Sequence, residues 1–146
     1  HFALKNLPKI NNKVIEKRNI AILGSTGSIG TQALEVVGKN QDLFQVEVLT
    51  ANSNANLLIK QALKFSPNAV AIADDNKYQE VSSALASRNI KVFSGADSIA
   101  QIVEMEEIDI VIASRHPSGC LFLFLYLLLA TTLQDLTLSL VKISFF

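Results

Sequence analysis

The stretch NIAILGSTGSIGTQALEVV, residues 19–37, decides how the rest of the chain is read. Its apolar run Ile20-Ala21-Ile22-Leu23 passes without a linker into Gly24-Ser25-Thr26-Gly27-Ser28-Ile29-Gly30. Ile29, Ala33 and Val37 then recur at i, i+4 and i+8, which marks one face of a helix. A strand that turns through three glycines straight into a helix opens a βαβ unit. Gly24 permits the tight turn, Gly27 lets a pyrophosphate approach the backbone, and Gly30 lets the helix pack close to the strand. The free N–H groups and dipole of the first helical turn favour phosphate, and Thr26 and Ser28 add hydroxyl donors. The joint therefore reads as a site for the phosphates of a dinucleotide. Its spacing is G-x-x-G-x-x-G rather than G-x-G-x-x-G, so the strand–helix context gives it its weight. A tight turn with no ligand is the alternative.

The same alternation continues outward from this joint. Residues 46–50 (VEVLT) read as a second strand. Leu58, Ala62 and Phe65 give the next helix face, stopped by Ser66-Pro67. Residues 69–73 (AVAIA) form a third strand, and Tyr78, Val81 and Leu85 mark a third helix ending near Arg88-Asn89. Residues 91–93 are a short strand, Ala96, Ile99 and Val103 a fourth helix face, and residues 108–113 (IDIVIA) a fifth strand. Strand and helix alternating with short joints means right-handed crossovers and a parallel sheet. The strands are apolar on both faces, as a sheet covered by helices on both sides requires. The expected fold is α/β, a Rossmann-like doubly wound parallel sheet that stops after about five strands.

The end of the second strand bears on which dinucleotide is bound. It reads Thr50-Ala51-Asn52-Ser53-Asn54 and contains no acid. An NAD site usually places Asp or Glu there for the ribose 2′-OH, and that acid would repel a 2′-phosphate. Small polar groups and backbone N–H donors would accept one, so the loop favours NADP. Asn54 can also cap the helix that follows. No arginine is at hand to clamp the phosphate, and ordinary turn residues are the alternative for Asn52 and Ser53. Other chemistry-bearing residues read as bland. His116 has no metal-ligand neighbours, and Asp74-Asp75 reads as a strand end that caps the third helix. Glu104, Glu106 and Glu107 read as a solvated turn, and Cys120 as an inert thiol without a histidine partner.

Bulk properties set the outer limits. With 146 residues, 49% of them hydrophobic, the chain can build a real core. Thirteen basic and thirteen acidic residues give a net charge of +0, so nucleic acid is not expected as a partner. A single cysteine, Cys120, rules out a disulfide framework within the chain and fits a reducing compartment. Residues 1–18 are basic and Asn-rich, lack the long apolar core of a secretory signal, and read as a solvated arm. The first residue is His1 rather than Met, which suits a processed or partial N-terminus. A bacterial cytoplasm fits the composition. A plastid is the alternative, with His1 following a removed transit peptide.

At residues 23–30, LGSTGSIG, the chain resembles the N-terminal domain of the 1-deoxy-D-xylulose 5-phosphate reductoisomerase family. TQALEVV, ALKFSPNAVAIAD and IDIVIA extend the resemblance over about residues 19–113. It implies an NADPH-dependent oxidoreductase of the non-mevalonate route to isoprenoid precursors. That family rearranges deoxyxylulose phosphate and reduces the product to 2-C-methyl-D-erythritol 4-phosphate, with a divalent metal, Mg or Mn. By the resemblance, Thr26, Gly27, Ser28 and Ile29, with Gly24 before them, stand where the family holds the NADPH phosphates. Asn52, Ser53 and Asn54 stand in its second cofactor loop. That loop often carries Gly and a basic residue before the Asn, which Asn52 and Ser53 replace here. After Ala113 the family's Gly-Leu-x-Pro-Thr and Ala-Asn-Lys-Glu motifs do not follow, so no catalytic, metal or substrate residue carries over. The implied partners are the cofactor and, in the full-length enzyme, a phosphorylated sugar and a second copy as homodimer; membrane association is not expected.

The chain thus divides into an arm, 1–18, an NADP-binding Rossmann-like domain, 19–113, and an atypical Leu/Phe-rich tail, 114–146. Within the tail, residues 120–133 fall short of the roughly 20 apolar residues of a membrane helix, and Gln134-Asp135 interrupts them. The texture is that of a frameshifted or misjoined coding sequence, with a core helix or a membrane anchor as alternatives. For function, the expected reading is the reductoisomerase's cofactor domain, inactive by itself. Another NADP-dependent oxidoreductase or a non-catalytic dinucleotide-binding module are the alternatives.

Overall fold

Ile, Val, Leu and Ala dominate five short runs, and these are the strands. In a computed structural model, which describes residues 16–113, they are β1 (Arg18–Leu23), β2 (Phe44–Ala51), β3 (Ala69–Ile72), β4 (Lys91–Ser94) and β5 (Ile110–Ala113). The helices α1 (Ser28–Lys39), α2 (Ala55–Phe65), α3 (Tyr78–Leu85) and α4 (Ala96–Met105) alternate with them. The arm up to residue 15 and the whole tail, with His116, Cys120 and the expectation of a frameshift, lie outside the described residues.

All strand pairs are parallel, in the order β4-β3-β2-β1-β5. The first three crossovers step one way across the sheet, and the fourth returns past β1 to place β5 on its far side. With a constant crossover hand, that reversal puts α4 on the opposite face from the other helices. Packing follows: Leu34, Leu58, Val81 and Leu85 of α1, α2 and α3 share one core with Ile20, Ile22, Val46 and Leu49. Ile102 and Val103 of α4 share the other with Ala21, Leu23, Val48 and Ala71. The sheet is doubly wound, as its patterning implies.

Several local expectations shift. In α1 the buried face is Gly30, Leu34 and Val37, whereas Ile29 and Ala33 are only half-buried, because Gly30 rather than Ile29 faces the preceding turn. In α4 it is Ser98, Ile102 and Val103; Ala96 is exposed and Ile99 half-buried. Tyr78 is 38% exposed, and only Val81 and Leu85 anchor α3. β5 starts at Ile110 rather than at residue 108, because Asp109 meets Asn19 from the side. Its Oδ2 accepts from the Asn19 N–H (2.8 Å), while its own N–H donates to the Asn19 carbonyl (2.9 Å). Asp74 caps not α3 but the short 3-10 turn Asp75–Lys77 before it, accepting from the Asn76 N–H at 3.0 Å. As expected, α2 stops at Ser66, in the left-handed region at φ 48°, just before Pro67.

The expected solvated turn at Glu104, Glu106 and Glu107 holds for Glu107 alone, since Glu104 lies within α4. Glu104 and Glu107 are exposed, but the Glu106 carboxylate receives Lys91 Nζ at 2.9 Å and Asn68 Nδ2 at 2.6 Å. These groups meet at the N-terminal edge of the sheet, near Glu47. Glu47 is the extra residue where β1 pairs Ile20 with Val46 and then Ala21 with Val48. The hydrogen bond from Lys91 is the main reason the Glu106 carboxyl titrates below its ordinary value of 4.5. Burial, and then the charge of Glu106, hold Glu47 above it, partly offset by Lys91. A lowered acid stabilises the fold at neutral pH and loses that contribution on acidification; a raised one costs stability once ionised. Glu106→Gln should therefore lower thermal stability at pH 7 by about 0.2–1 kcal/mol, the deficit closing in melts taken below pH 4.5. Glu47→Gln should do the reverse at pH 7. Equal melting curves at every pH would contradict both expectations.

Candidate cofactor site

β1 ends at the C-terminal edge of the sheet, beside the point where strand order reverses between β1 and β5. In open α/β sheets ligands bind in the crevice at such a point. The glycine turn that follows is held to the neighbouring strand. The Gly24 N–H donates to Thr50 Oγ1 at 3.0 Å, and the Ser25 N–H donates to the Thr50 carbonyl at 2.7 Å. Gly24 has φ 75°, a left-handed conformation that strains any residue with a Cβ.

The other two motif glycines differ in why they are glycine. A Cβ on Gly30 would stand 2.3 Å from the Gly24 carbonyl oxygen and 2.5 Å from Ser25 Cα. Both are backbone atoms with nowhere to go. The contact that needs Gly30 is thus helix to turn rather than helix to strand. A Cβ on Gly27 would meet only the Gly24 carbonyl oxygen, at 3.4 Å, and Gly27 sits at an ordinary φ −78°, ψ 174°. Nothing within the described fold requires glycine there.

Gly27 is also the N-cap of α1. It offers no side-chain cap, and the first turn holds no acidic residue. The Thr31 hydroxyl donates back to the Gly27 and Ser28 carbonyls, at 2.9 Å each, and leaves the amide end open. By contrast, α2 is capped by its own sequence, with Asn54 Oδ1 accepting from the Leu57 N–H at 3.2 Å. An uncapped helix start, with its partial positive charge and free N–H groups, suits phosphate.

The candidate residues gather at one edge. Gly24, Thr26 and Ile29 are half-buried, while Gly27 and Ser28 are exposed. Thr50 leads directly from the glycine turn into the second loop, where Asn52, Ser53 and Asn54 are all exposed. None of these residues is charged. From the next loop, Asp74 donates its N–H to the Asn52 carbonyl at 2.9 Å, and its carboxylate accepts from Asn76. Sequence reading passed over three residues of this edge: Ser25, Thr50 and Gln61. A polar residue at a buried helical position, as Gln61 is between Leu58 and Ala62, was the available signal. Among the described residues no three His, Cys, Asp or Glu side chains converge as a metal site would need. A shallow groove of about 220 Å³ lies between α1 and α2, lined by Thr31, Leu34, Leu57, Lys60, Gln61 and Phe65.

A sequence model for 1-deoxy-D-xylulose 5-phosphate reductoisomerase matches residues 20–124. The chain belongs to the 1-deoxy-D-xylulose 5-phosphate reductoisomerase family. It is 55% identical over 98 residues to the reductoisomerase of Phocaeicola vulgatus, and 53% identical over 98 residues to that of Porphyromonas gingivalis. Each alignment covers 67% of this chain and 26% of the relative, so the chain spans about a quarter of the length of the reductoisomerases it matches. The Zymomonas mobilis reductoisomerase, solved in complex with NADPH, superposes with a TM-score of 0.65 at 33% identity. That superposition covers 68% of this chain and 26% of the other. A reductoisomerase solved with magnesium gives 0.64 at 26% identity, covering 68% and 25%.

The two glycine contacts separate experimentally. Gly30→Ala should destabilise the chain by about 1–3 kcal/mol or more, the range for forcing atoms into a packed site. Gly27→Val should cost no more than about 1 kcal/mol, the penalty of a poorer N-cap. Chemical denaturation followed by circular dichroism would measure both, and the opposite ranking would refute the geometry.

Proposed function

We propose that the described domain holds the NADPH of a 1-deoxy-D-xylulose 5-phosphate reductoisomerase. The observation that carries this is Gly27, a glycine the fold does not need, standing in open space at the uncapped start of α1. Thr26, Gly27, Ser28 and Ile29, after the turn at Gly24, would receive the pyrophosphate. Asn52, Ser53 and Asn54 would receive the ribose 2′-phosphate, where a loop with no acid of its own favours NADPH over NADH. The bound cofactor supplies a hydride, and this chain binds and orients it.

In the whole enzyme the activity is the rearrangement of deoxyxylulose phosphate and its NADPH-dependent reduction to 2-C-methyl-D-erythritol 4-phosphate. The divalent metal, Mg or Mn, the sugar phosphate and a homodimer contact would belong to the larger protein. The bacterial relatives support a bacterial cytoplasm. A net charge of +0 supports no role for nucleic acid. Among the described residues, no helix is long and apolar enough to cross a membrane.

Titration by nucleotide fluorescence tests the binding. NADPH should bind at least about tenfold tighter than NADH, a difference of ~1.4 kcal/mol. Gly27→Val should abolish NADPH binding while the chain still melts cooperatively. NADH binding as tight as NADPH, or a Gly27→Val chain that binds normally, would overturn the proposal. The 146-residue chain by itself should show no NADPH oxidation with deoxyxylulose phosphate and Mg²⁺ or Mn²⁺, because it spans about a quarter of its relatives. Turnover above background would contradict this.

A further inference from the structure

The buried face of α2 carries one polar side chain. Gln61 is 7% exposed, beside Leu58 and Ala62 at 0%. Its amide serves the glycine turn, not its own helix. Nε2 donates to the Ser25 carbonyl at 2.8 Å, and Oε1 accepts from the Ser25 hydroxyl at 2.7 Å. Ser25 is itself 0% exposed, which explains the motif hydroxyl that points at no ligand. Its N–H is taken by the Thr50 carbonyl at 2.7 Å, so all three polar groups of Ser25 are bound inside the fold.

This has a geometric consequence for the next amide. In a planar trans peptide the C=O and the following N–H point in opposite directions. Gln61 holds the Ser25 carbonyl inward, towards the core. The N–H of Thr26 must then point outward, to the side on which Gly27 and Ser28 are exposed. Without Gln61, the Ser25–Thr26 peptide could rotate to send its carbonyl to solvent, and a negative dipole end would face an incoming phosphate. An apolar side chain of the same length would fill the core equally well but would leave this rotation free.

We propose that Gln61 is a positioning residue for the cofactor phosphates. By fixing the Ser25–Thr26 peptide, through a Ser25 that lies 36 residues before it in sequence, it presents the Thr26 N–H as a pyrophosphate donor. The proposal rests on the NADPH reading above and is separable from it by experiment.

The test uses the 146-residue chain and two probes, NADPH and adenosine 2′-monophosphate. The second carries the adenine and 2′-phosphate but no pyrophosphate. Gln61→Met removes both amide bonds at nearly constant volume. It should weaken NADPH about tenfold and leave adenosine 2′-monophosphate within about twofold. Ser25→Ala keeps the bond from Nε2 to the carbonyl and should weaken NADPH less, about threefold. The double variant should be no worse than Gln61→Met, because the two residues act as one unit. A parallel loss of both ligands would reduce Gln61 to a packing residue, and no loss of either would make the orientation irrelevant; each overturns the proposal. If Gln61→Met shows no cooperative melt, Ser25→Ala decides by the same selectivity for NADPH. If the unmodified chain fails to bind NADPH, the functional reading fails and this proposal with it. If the unmodified chain binds and the variants bind equally, only the positioning role fails.

Discussion

A helix can start within van der Waals contact of the turn that feeds it only where the facing residue has no side chain. Gly30 supplies that contact, with the Gly24 carbonyl and the Ser25 backbone lying where its Cβ would be. The approach sets the position of α1 on the sheet, and with it the depth at which Leu34 and Val37 enter the core. It also sets the distance from the helix start to Gly27, and so the place where the open amide end meets solvent. Core packing and the candidate phosphate site are therefore two ends of one constraint. Moving α1 outward by the width of a methyl group would loosen the first and blunt the second.

The two edges of the sheet divide their tasks. The C-terminal edge carries the uncharged glycine turn and second loop and an uncapped helix, with Asp74 and Asp75 following β3. The N-terminal edge carries the charged cluster of Glu106, Lys91, Asn68 and Glu47, and the pairing of Asp109 with Asn19. Among the described residues, one face is covered by three helices, whereas α4 covers the other where Ala21, Ala69 and Ala71 present small side chains. Small residues there let a single helix sit close to several strands.

Element type and order were legible in the sequence because each depends on local periodicity. The unbroken apolar run over residues 69–73 and the recurrence of Leu58, Ala62 and Phe65 are visible without knowing any partner. Helix faces were less legible. Ile29 reads as a core residue by spacing, yet it is Gly30, with no hydrophobic signal, that faces inward. Ala96 was misread for the same reason, since what covers a helix is decided by the strand it meets. The glycine motif and the acid-free second loop were readable as chemistry. Ser25, Thr50 and Gln61 were not, because their meaning lies in hydrogen bonds that join distant segments. Glu106 looked like one of three solvated acids until Lys91 and Asn68 came beside it.

Strand order also governs the sequence of events when the chain emerges from a ribosome. β1 to β4 are laid down in spatial order, each beside the last, so each pairing closes a loop of only one helix and its joints. β5 alone must return across the sheet, and its first anchor, between Asp109 and Asn19, spans 90 residues. Until residue 113 has been synthesised, one side of β1 is an unsatisfied edge flanked by Ile20 and Ile22. Non-local pairing of this kind slows folding, and an open apolar edge invites other chains to pair with it. Of the five described strands, the one that feeds the glycine turn is therefore the first to be made and the last to be closed.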